Sequence, residues 1–540
     1  MQKAISVLIV ATALGALACT GPSVGNQAPV ATGNADLPKY GGVLTLTRPS
    51  DPLDWDMRNQ GKSNDNTAIH GLVYNSLLGF KDGPGVDPNE FILRPELAES
   101  WEVSPDARTL TYRLRQGVRF SATPPVNGRE FTSADVKWSW EYYSHTGEFK
   151  DAKLPPSQML FMYEGLEKVE TPDKYTAIAR FKEPFVPFLN YSASQWMPMA
   201  AKEVFSQDGS LGKTLVGTGP YVLDAPGSQM GAVWMVKKNP GYWEPGKPYL
   251  DAIRTLILPE IATVHAAFQT KQLDVVLEAA DSQAQETMRA NPDAVMAQSL
   301  KSQARGVLLS QRRPGPLTDL RVRRALSLAV DRDEVNKIVN GGKGEWSTSG
   351  LWPGVFTEAE VKQMVKYDPE EAKRLLAEAN YPKDFVLKNM VTNTGDNSLT
   401  LLIQAQFKKV GVAMDLEVLT REVHRPRLYS GDFDVFTLGS SGVFEADADS
   451  QAMAFYSGAS LNWSIIKDPE LDKLLIAQRQ ERDPPKRRDI LRAAMKRVND
   501  QAWGIGFVFQ TEWQVWHSYV KGYQPHNSSG EHQAMVWLQK

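Results

Sequence analysis

Apolar and polar positions alternate most strictly between Leu97 and Arg119. Leu110, Tyr112 and Leu114 fall on one side, and Thr109, Thr111 and Arg113 on the other. A period of two predicts a half-buried strand, and Ser104-Pro105-Asp106 just before it reads as the turn of a hairpin. Further strands are expected at Val43 to Thr47, at Tyr175 to Phe181, after the turn Gly217-Thr218-Gly219-Pro220, and at Ile253 to Leu258. A helix is expected from about Asn66 to Leu78, with Ile69, Val73 and Leu77 on one face. Another opens at Ser133-Ala134-Asp135, with Ser133 as its N-cap.

Near residue 310 the period changes. Val322, Ala325, Leu326, Ala329 and Val330 recur at helical spacing, while Arg321, Arg323 and Arg324 lie off that stripe. Asp368-Pro369-Glu370 supplies a cap, a proline at the first helical position and acid in the first turn. Ala372, Leu375, Leu376 and Ala379 form the stripe that follows, and Asn380-Tyr381-Pro382 ends it. Asp468-Pro469-Glu470 and Asp483-Pro484 repeat the start signal. From Gly504 the chain returns to apolar, aromatic, strand-like segments. Strands, then helices, then strands again predict a mixed α/β (α+β) protein whose first lobe is built from both ends of the chain. The expected division is lobe I at 37–80, 205–305 and 500–540, an extra lobe II at 80–205, and lobe III at 305–500.

The first residues read as an address, not as fold. Lys3 precedes an almost unbroken small and apolar run, Ala4 to Ala18, too short for a comfortable membrane span. Residues 1–18 are read as a bacterial export signal ending at Ala18-Cys19. Gly15-Ala16-Leu17-Ala18-Cys19 resembles a lipobox, in which the sulfur is acylated and becomes the new N-terminus; the alternative is a free thiol. Residues 19–36 are rich in Gly, Pro, Ser and Asn without periodicity and read as a flexible tether. The expected location is extracytoplasmic, in the periplasm or at the cell surface, held to the membrane by lipid on Cys19.

Composition narrows the partners. Net charge is −3, falling to −4 once Lys3 is lost, so bulk electrostatics make no case for nucleic acid or an anionic membrane surface. Cys19 is the single cysteine, which excludes an internal disulfide. The 14 Trp and 17 Tyr suit the walls of a binding cleft, and in 540 residues they also fill cores. Catalytic patterns are thin. None of the seven His forms an HExxH pair, so no metal or other cofactor is expected. Ser464-Ile465-Ile466-Lys467 matches the SxxK pattern of penicillin-recognising serine enzymes without its partner motifs, and Asp468-Pro469 starts a helix directly after it. Glu99, Asp106 and Asp135 read as turn and cap residues. The expectation is a protein that performs no chemistry; a serine hydrolase using Ser464 and Lys467 is the lesser alternative.

LAESWEVSPDARTLTYRLRQGVRF with EFTSADVKWSWEY resembles the family 5 extracytoplasmic solute-binding proteins, the dipeptide-, oligopeptide- and nickel-binding components of ABC importers. GTGPYVL, NPGYWEPGKPYLD, LTDLRVRRALSLAVDRDEV, YDPEEAKRLLAEANY and DPELDKLL match in the family's order. The resemblance implies a type II periplasmic-binding-protein-like fold, two main lobes with a hinge and cleft plus an extra lobe. It also implies a monomer that hands a peptide or similar small solute to membrane permease subunits. In peptide-binding relatives a segment equivalent to Thr437 to Asp449 lines the cleft, and its Gly-Trp-x-x-Asp pattern pairs a carboxylate with the peptide's α-amino group. Here Gly439 matches, Ser440 and Ser441 follow, and Val443 falls where that Asp is expected. Glu445 or Asp447 takes the role if the loop is shifted by two or four residues. With no carboxylate there, the same fold would take a sugar, opine or metal chelate. Arg48 and Tyr74 are expected at the cleft rim of lobe I, and Trp346, Trp352, Asn393 and Trp463 in loops of lobe III.

Overall fold

Why the helix after Asn66 stops early shows how lobe I is put together. It spans Asn66–Val73, five residues short of the expected Leu78. The carbonyl of Val73 accepts from the backbone N–H of Gly219 at 2.8 Å. A Cβ on Gly217 would lie 2.1 Å from that same oxygen, so only glycine lets the 217–219 turn seat against the helix end. Segments far apart in sequence thus close one another's hydrogen bonds. The computed structural model describes residues 37–540 except 52–54, 57, 59–65, 84, 88–90, 155–156, 280, 349–354, 393–396, 439–446 and 526–532. The export signal, Cys19 and the tether lie outside the described residues.

In chain order the strands are β1 (Val43–Arg48), the short pair β2 (Leu78–Phe80) and β3 (Leu93–Pro95), and the hairpin β4 (Ala98–Val103) and β5 (Thr109–Leu114). Then come β6 (Leu166–Asp173), β7 (Thr176–Phe181), β8 (Tyr221–Leu223), β9 (Val233–Lys238), β10 (Ala252–Ile257) and β11 (Val275–Ala279). β12 (Ala294–Leu309) is followed by β13 (Val386–Thr392), β14 (Ala413–Leu419), β15 (Val435–Leu438), β16 (Gly504–His517), β17 (Val520–Lys521) and β18 (Trp537–Leu538). One sheet has the order β1-β10-β9-β8, a second β4-β5-β7-β6, and a third β11-β16-β12-β15-β13-β14. In β5 the expected alternation holds, with Leu110, Tyr112 and Leu114 buried.

Three parts of the chain assemble lobe I. β1 pairs in parallel with β10, the N–H of Thr45 donates to Asp274 at 2.7 Å, and Tyr519 and Lys540 bring the C-terminus onto the same carboxylate at 2.6 and 3.0 Å. β12 and β16 then pair along most of their length, in the stretch of chain expected to join the two main lobes. β16 pairs with β11 at one end, and β15 joins β12 at the other. Between Leu300 and Ala304, and again between Arg305 and Gly306, the register slips. A Cβ on Gly306 would meet the carbonyl of Ile505 at 2.5 Å, so glycine permits the close approach at the slip.

Local chemistry explains the helices of lobe III. Asp368, Asp468 and Asp483 each accept from a backbone N–H of the first turn that follows, at 2.9, 2.8 and 3.0 Å, with proline inside each start. The helix Ser133–Ser144 departs from expectation by one residue. Thr132 is its N-cap, in a capping box with Asp135, and Ser133 instead donates its hydroxyl to the carbonyl of Asp173 at 2.6 Å. Apolar packing also crosses the expected lobe division. A single core joins Phe185, Phe188 and Tyr191 of the extra lobe to Phe455, Leu471, Leu475 and Leu491 of the C-terminal helices of lobe III. Among the described residues no helix is long and apolar enough to cross a membrane.

Candidate functional site

β13, β14 and β15 form a parallel set in the spatial order β15-β13-β14, linked through the helices Ser398–Lys409 and Arg421–Tyr429. The chain steps from β13 to one side, then back past it to the other. In such a sheet the crevice opens outside the carboxyl ends where the order reverses. Here that point lies between the ends of β13 and β15, at Thr392 and Leu438. Asn389 fixes the two strands just before it, donating to the Thr437 hydroxyl at 2.6 Å and accepting from the Thr437 N–H at 3.2 Å. Leu438 also pairs with Gly306, at the register slip. From lobe I, β11 runs antiparallel to β16, with its last residue Ala279 opposite Trp513, so its carboxyl end approaches the same slip from the other side.

The loop that leaves β15 ends in a dense ionic network. Asp447 accepts from both terminal nitrogens of Arg487, one at 2.9 Å, from Asn190 at 3.0 Å and from the Asp449 N–H at 2.9 Å. Asp449 accepts from Tyr191 at 2.7 Å, from Arg479 at 2.7 and 2.8 Å, and from Gln478. Arg479 also pairs with Glu164. Both aspartates are buried. Burial opposes ionisation of Asp447, yet the charge and hydrogen bonds of Arg487 outweigh it and hold the carboxyl below its ordinary range. Asn190, Tyr191 and Glu164 belong to the extra lobe. Leu438 thus pairs at the slip of β12 and β16, and Asp447 bonds to Asn190 of the segment expected to form lobe II.

The residues singled out from sequence fare differently. Asp447 has four hydrogen bonds on its carboxylate, so it has no lone pair left for a ligand amine. Gly439, Ser440, Ser441, Val443, Glu445, Trp352 and Asn393 lie outside the described residues. Arg48 ends β1 beside Ile257 and lines a small pocket with Leu46, Ile69, Leu72 and Trp234. Tyr74 is buried in the lobe I core, and burial pushes its phenol up. The Trp346 indole donates to Asp333 at 2.9 Å, with Lys362 over its ring. Trp463 packs by Tyr429 and Gly431, at the amino end of β15, on the edge opposite the crevice. Ser464 is buried while Lys467 is exposed, with Ile465 in a left-handed turn between them, so no base serves the hydroxyl. Among the described residues no group of His, Cys, Asp and Glu is arranged to hold a metal. Sequence reading passed over Asn190, Tyr191, Arg479 and Arg487, because an acid and a base forty residues apart carry no pairing signal.

Comparison with known proteins adds a lineage. Residues 93–463 match the family described as bacterial extracellular solute-binding proteins, family 5, middle part. The chain is 27% identical over 481 residues to heme-binding protein A of Haemophilus influenzae, covering 84% of each chain. Its structure superposes on the periplasmic binding protein DppA of Helicobacter pylori, solved with the peptide STSA, with a TM-score of 0.81 at 24% identity, over 93% of this chain and 99% of that one. It superposes equally on AgaA of A. tumefacien R10, solved with agropinic acid, with a TM-score of 0.80 at 22% identity, over 92% and 99%.

Proposed function

The chain belongs to family 5 of the bacterial extracellular solute-binding proteins, and from that premise we propose that it captures a peptide or peptide-sized solute between its lobes. It then delivers the solute to the permease of an ABC importer and works as a lipid-anchored monomer. One observation carries this reading: Leu438 ends β15 at the reversal point of the parallel strands, beside the register slip of β12 and β16, and Asp447 farther along the chain bonds to Asn190 of the segment expected to form the extra lobe. A solute held there touches both sides of the hinge. That contact is the physical requirement for favouring a closed form over an open one.

The test is thermal unfolding of the soluble mature protein, begun after Cys19, with free and N-acetylated di- to pentapeptides. A ligand at about 100 times its dissociation constant that binds only the folded state stabilises it by about 2.7 kcal/mol. Stabilisation by free but not acetylated peptides assigns the amine to an acid in the loop, and Glu445 is the one left for it. A second reading, a solute without a free amine such as an opine or a capped amide, is supported by the saturation of Asp447 and by Val443. Stabilisation by acetylated peptides or by agropinic acid alone selects it. For the anchor, Cys19→Ser is expected to leave the protein unacylated and released from the membrane; a mutant still held by covalent lipid overturns that part.

A further inference from the structure

The chain enters lobe I at the end of its sheet opposite Arg48, the residue expected at the cleft rim. Leu37 to Gly42 lead to the amino end of β1, which lies beside the amino end of β10, while Arg48 and Ile257 mark the far ends of the same two strands. Six residues of strand, about 17–20 Å, separate the two ends. The N–H of Gly41 donates to the carbonyl of Tyr249 at 2.8 Å, and that of Gly42 to Asp251 at 3.0 Å. The entering segment is thereby fixed against the aromatic-rich loop 239–251.

Two aromatic pairs gather there, and they are used differently. The inner pair is spent on the fold: the Trp243 indole donates to Asn75 at 3.2 Å with Arg115 over its ring, and Tyr242 packs beside it at 5.5 Å. The outer pair is Tyr40 and Tyr249, edge to face at 5.4 Å. Tyr40 remains 64% exposed and Leu37 85%, with Val43 also exposed at the start of β1. The Lys238 ammonium stands 5.2 Å from the centre of the Tyr40 ring, and Lys39 precedes that tyrosine in the chain. Lys237 and Lys247 are paired, with Asp224 and Glu244 at 2.7 Å each; Lys39 and Lys238 pair with no carboxylate among the described residues. Exposed apolar side chains, a phenol and unspent ammonium groups side by side suit a membrane interface, where rings sit among headgroups and amines meet lipid phosphate.

We infer that this pole of lobe I rests on an anionic lipid bilayer, so that the carboxyl ends of β1 and β10 are turned away from the membrane. This rests on the lipid-anchor reading above. Residues 19–36 join Cys19 to the pole, and a flexible chain of that length has an r.m.s. span of about 23 Å. The bilayer is therefore within reach of this face, and the anchor's high local concentration lets a weak contact suffice. A net charge of −3 gives the whole molecule no attraction to an anionic surface. Charges more than about 8 Å away are largely screened at physiological salt, so the two unspent lysines act locally. A second copy of the chain on the same face would bring like ammonium groups together.

The test uses the full lipidated chain in vesicles of phosphatidylethanolamine and phosphatidylglycerol, compared with the soluble mature protein begun after Cys19. Amines are acetylated with a water-soluble reagent, and peptide mass spectrometry reads the labelling residue by residue. Labelling of Lys39 and Lys238 is expected to fall about tenfold on the vesicles, while exposed Lys408 of the helix Ser398–Lys409 reacts equally in both. In vesicles of phosphatidylcholine alone the protection is expected to shrink to about twofold. Leu37→Ser with Tyr40→Ser should leave the melting temperature unchanged, since both side chains are exposed, and restore labelling to within about twofold of the soluble protein. Equal labelling in solution and on anionic vesicles that carry the protein overturns the inference alone. Protection that appears in the soluble protein as its concentration rises assigns the face to a second copy and also overturns it. A chain that fails to float with the vesicles overturns the anchor reading and the inference together; flotation precedes labelling, so the two failures are told apart.

Discussion

Two buried polar regions share the segment that begins at Asn190, and they are built on opposite terms. At the loop's exit, Asp447, Asp449, Arg479, Arg487 and Gln478 use one another up, with Asn190 and Tyr191 closing the remaining acceptors. A few residues along the same segment, Gln195 and Trp196 are buried too, and the polar atoms of their side chains bond to nothing among the described residues. Burial and polarity are alike in the two places; satisfaction is not. A saturated network positions, because each group is held by several others. An unsaturated pair packs without that hold. The saturation argues that Asp447, one of the two acids expected at the amine site, serves the scaffold.

Removing one arm of the saturated side should have the largest effect. Arg487→Met leaves the Asp447 carboxylate buried without its guanidinium and is expected to cost about 3–5 kcal/mol in urea unfolding. Adding Asp447→Leu to that variant should restore part of the loss, since the uncompensated charge goes with it. A single-mutant cost under about 1 kcal/mol would mean that water reaches the pair, and the comparison would fail.

Acid should separate the network from a second kind of buried group. Burial holds the His70 imidazole down to about 3, in the helix Asn66–Val73 with its ring edge-on to Tyr74 at 5.3 Å. The unfolded chain takes up a proton near pH 6.5 that the folded one refuses, so the unfolded state binds more protons and stability falls as pH drops. The expected slope is about 1.4 kcal/mol per pH unit, starting below 6.5 and ending near 3. Asp447, with its folded value below the ordinary 3.8, has the same sign in a lower window: its contribution stands above about pH 4 and is lost beneath it. His70→Phe should flatten the upper phase and leave the lower one. An unchanged slope between pH 6 and 4 would assign the loss elsewhere, and His424 and His517, also held down by burial, would be next to replace.

How much of this could be read from the chain follows from the range of each interaction. Capping at Asp368, Asp468 and Asp483, the alternation of β5 and the helix over 320–328 are short-range, set by residues within a turn or two of one another, and were legible with the fold class and the family. The sixteen residues of β12 were not, since AVMAQSLKSQARGVLL shows no steady apolar period and its pairing with β16 slips register twice along the way. The helix after Asn66 was overextended because what stops it, Gly219, arrives from beyond residue 200. Asp447 was legible as a carboxylate near the ligand loop, but not as one already spent on Arg487. Gln195 in ASQWM carries no pattern at all; its unspent amide exists only in three dimensions.

The smallest effect tests the same rule on tryptophans named from sequence as cleft candidates. Trp346 has spent its N–H on Asp333 at the surface, and its neighbours Glu345 and Ser347 are bonded to β16 at Phe509 and Phe507. By the reasoning above it belongs to the scaffold. Trp346→Phe gives up one exposed hydrogen bond and should cost about 0.5–1 kcal/mol. The affinity for tri-alanine should not move, because the donor removed was already engaged within the protein. Trp196→Phe should lower stability more, since it takes ring volume out of the main apolar core. If Trp346→Phe instead weakens binding while stability holds, then hydrogen-bond saturation does not distinguish scaffold from site in this molecule, and the tryptophan at the level of the register slip is the ligand's neighbour after all.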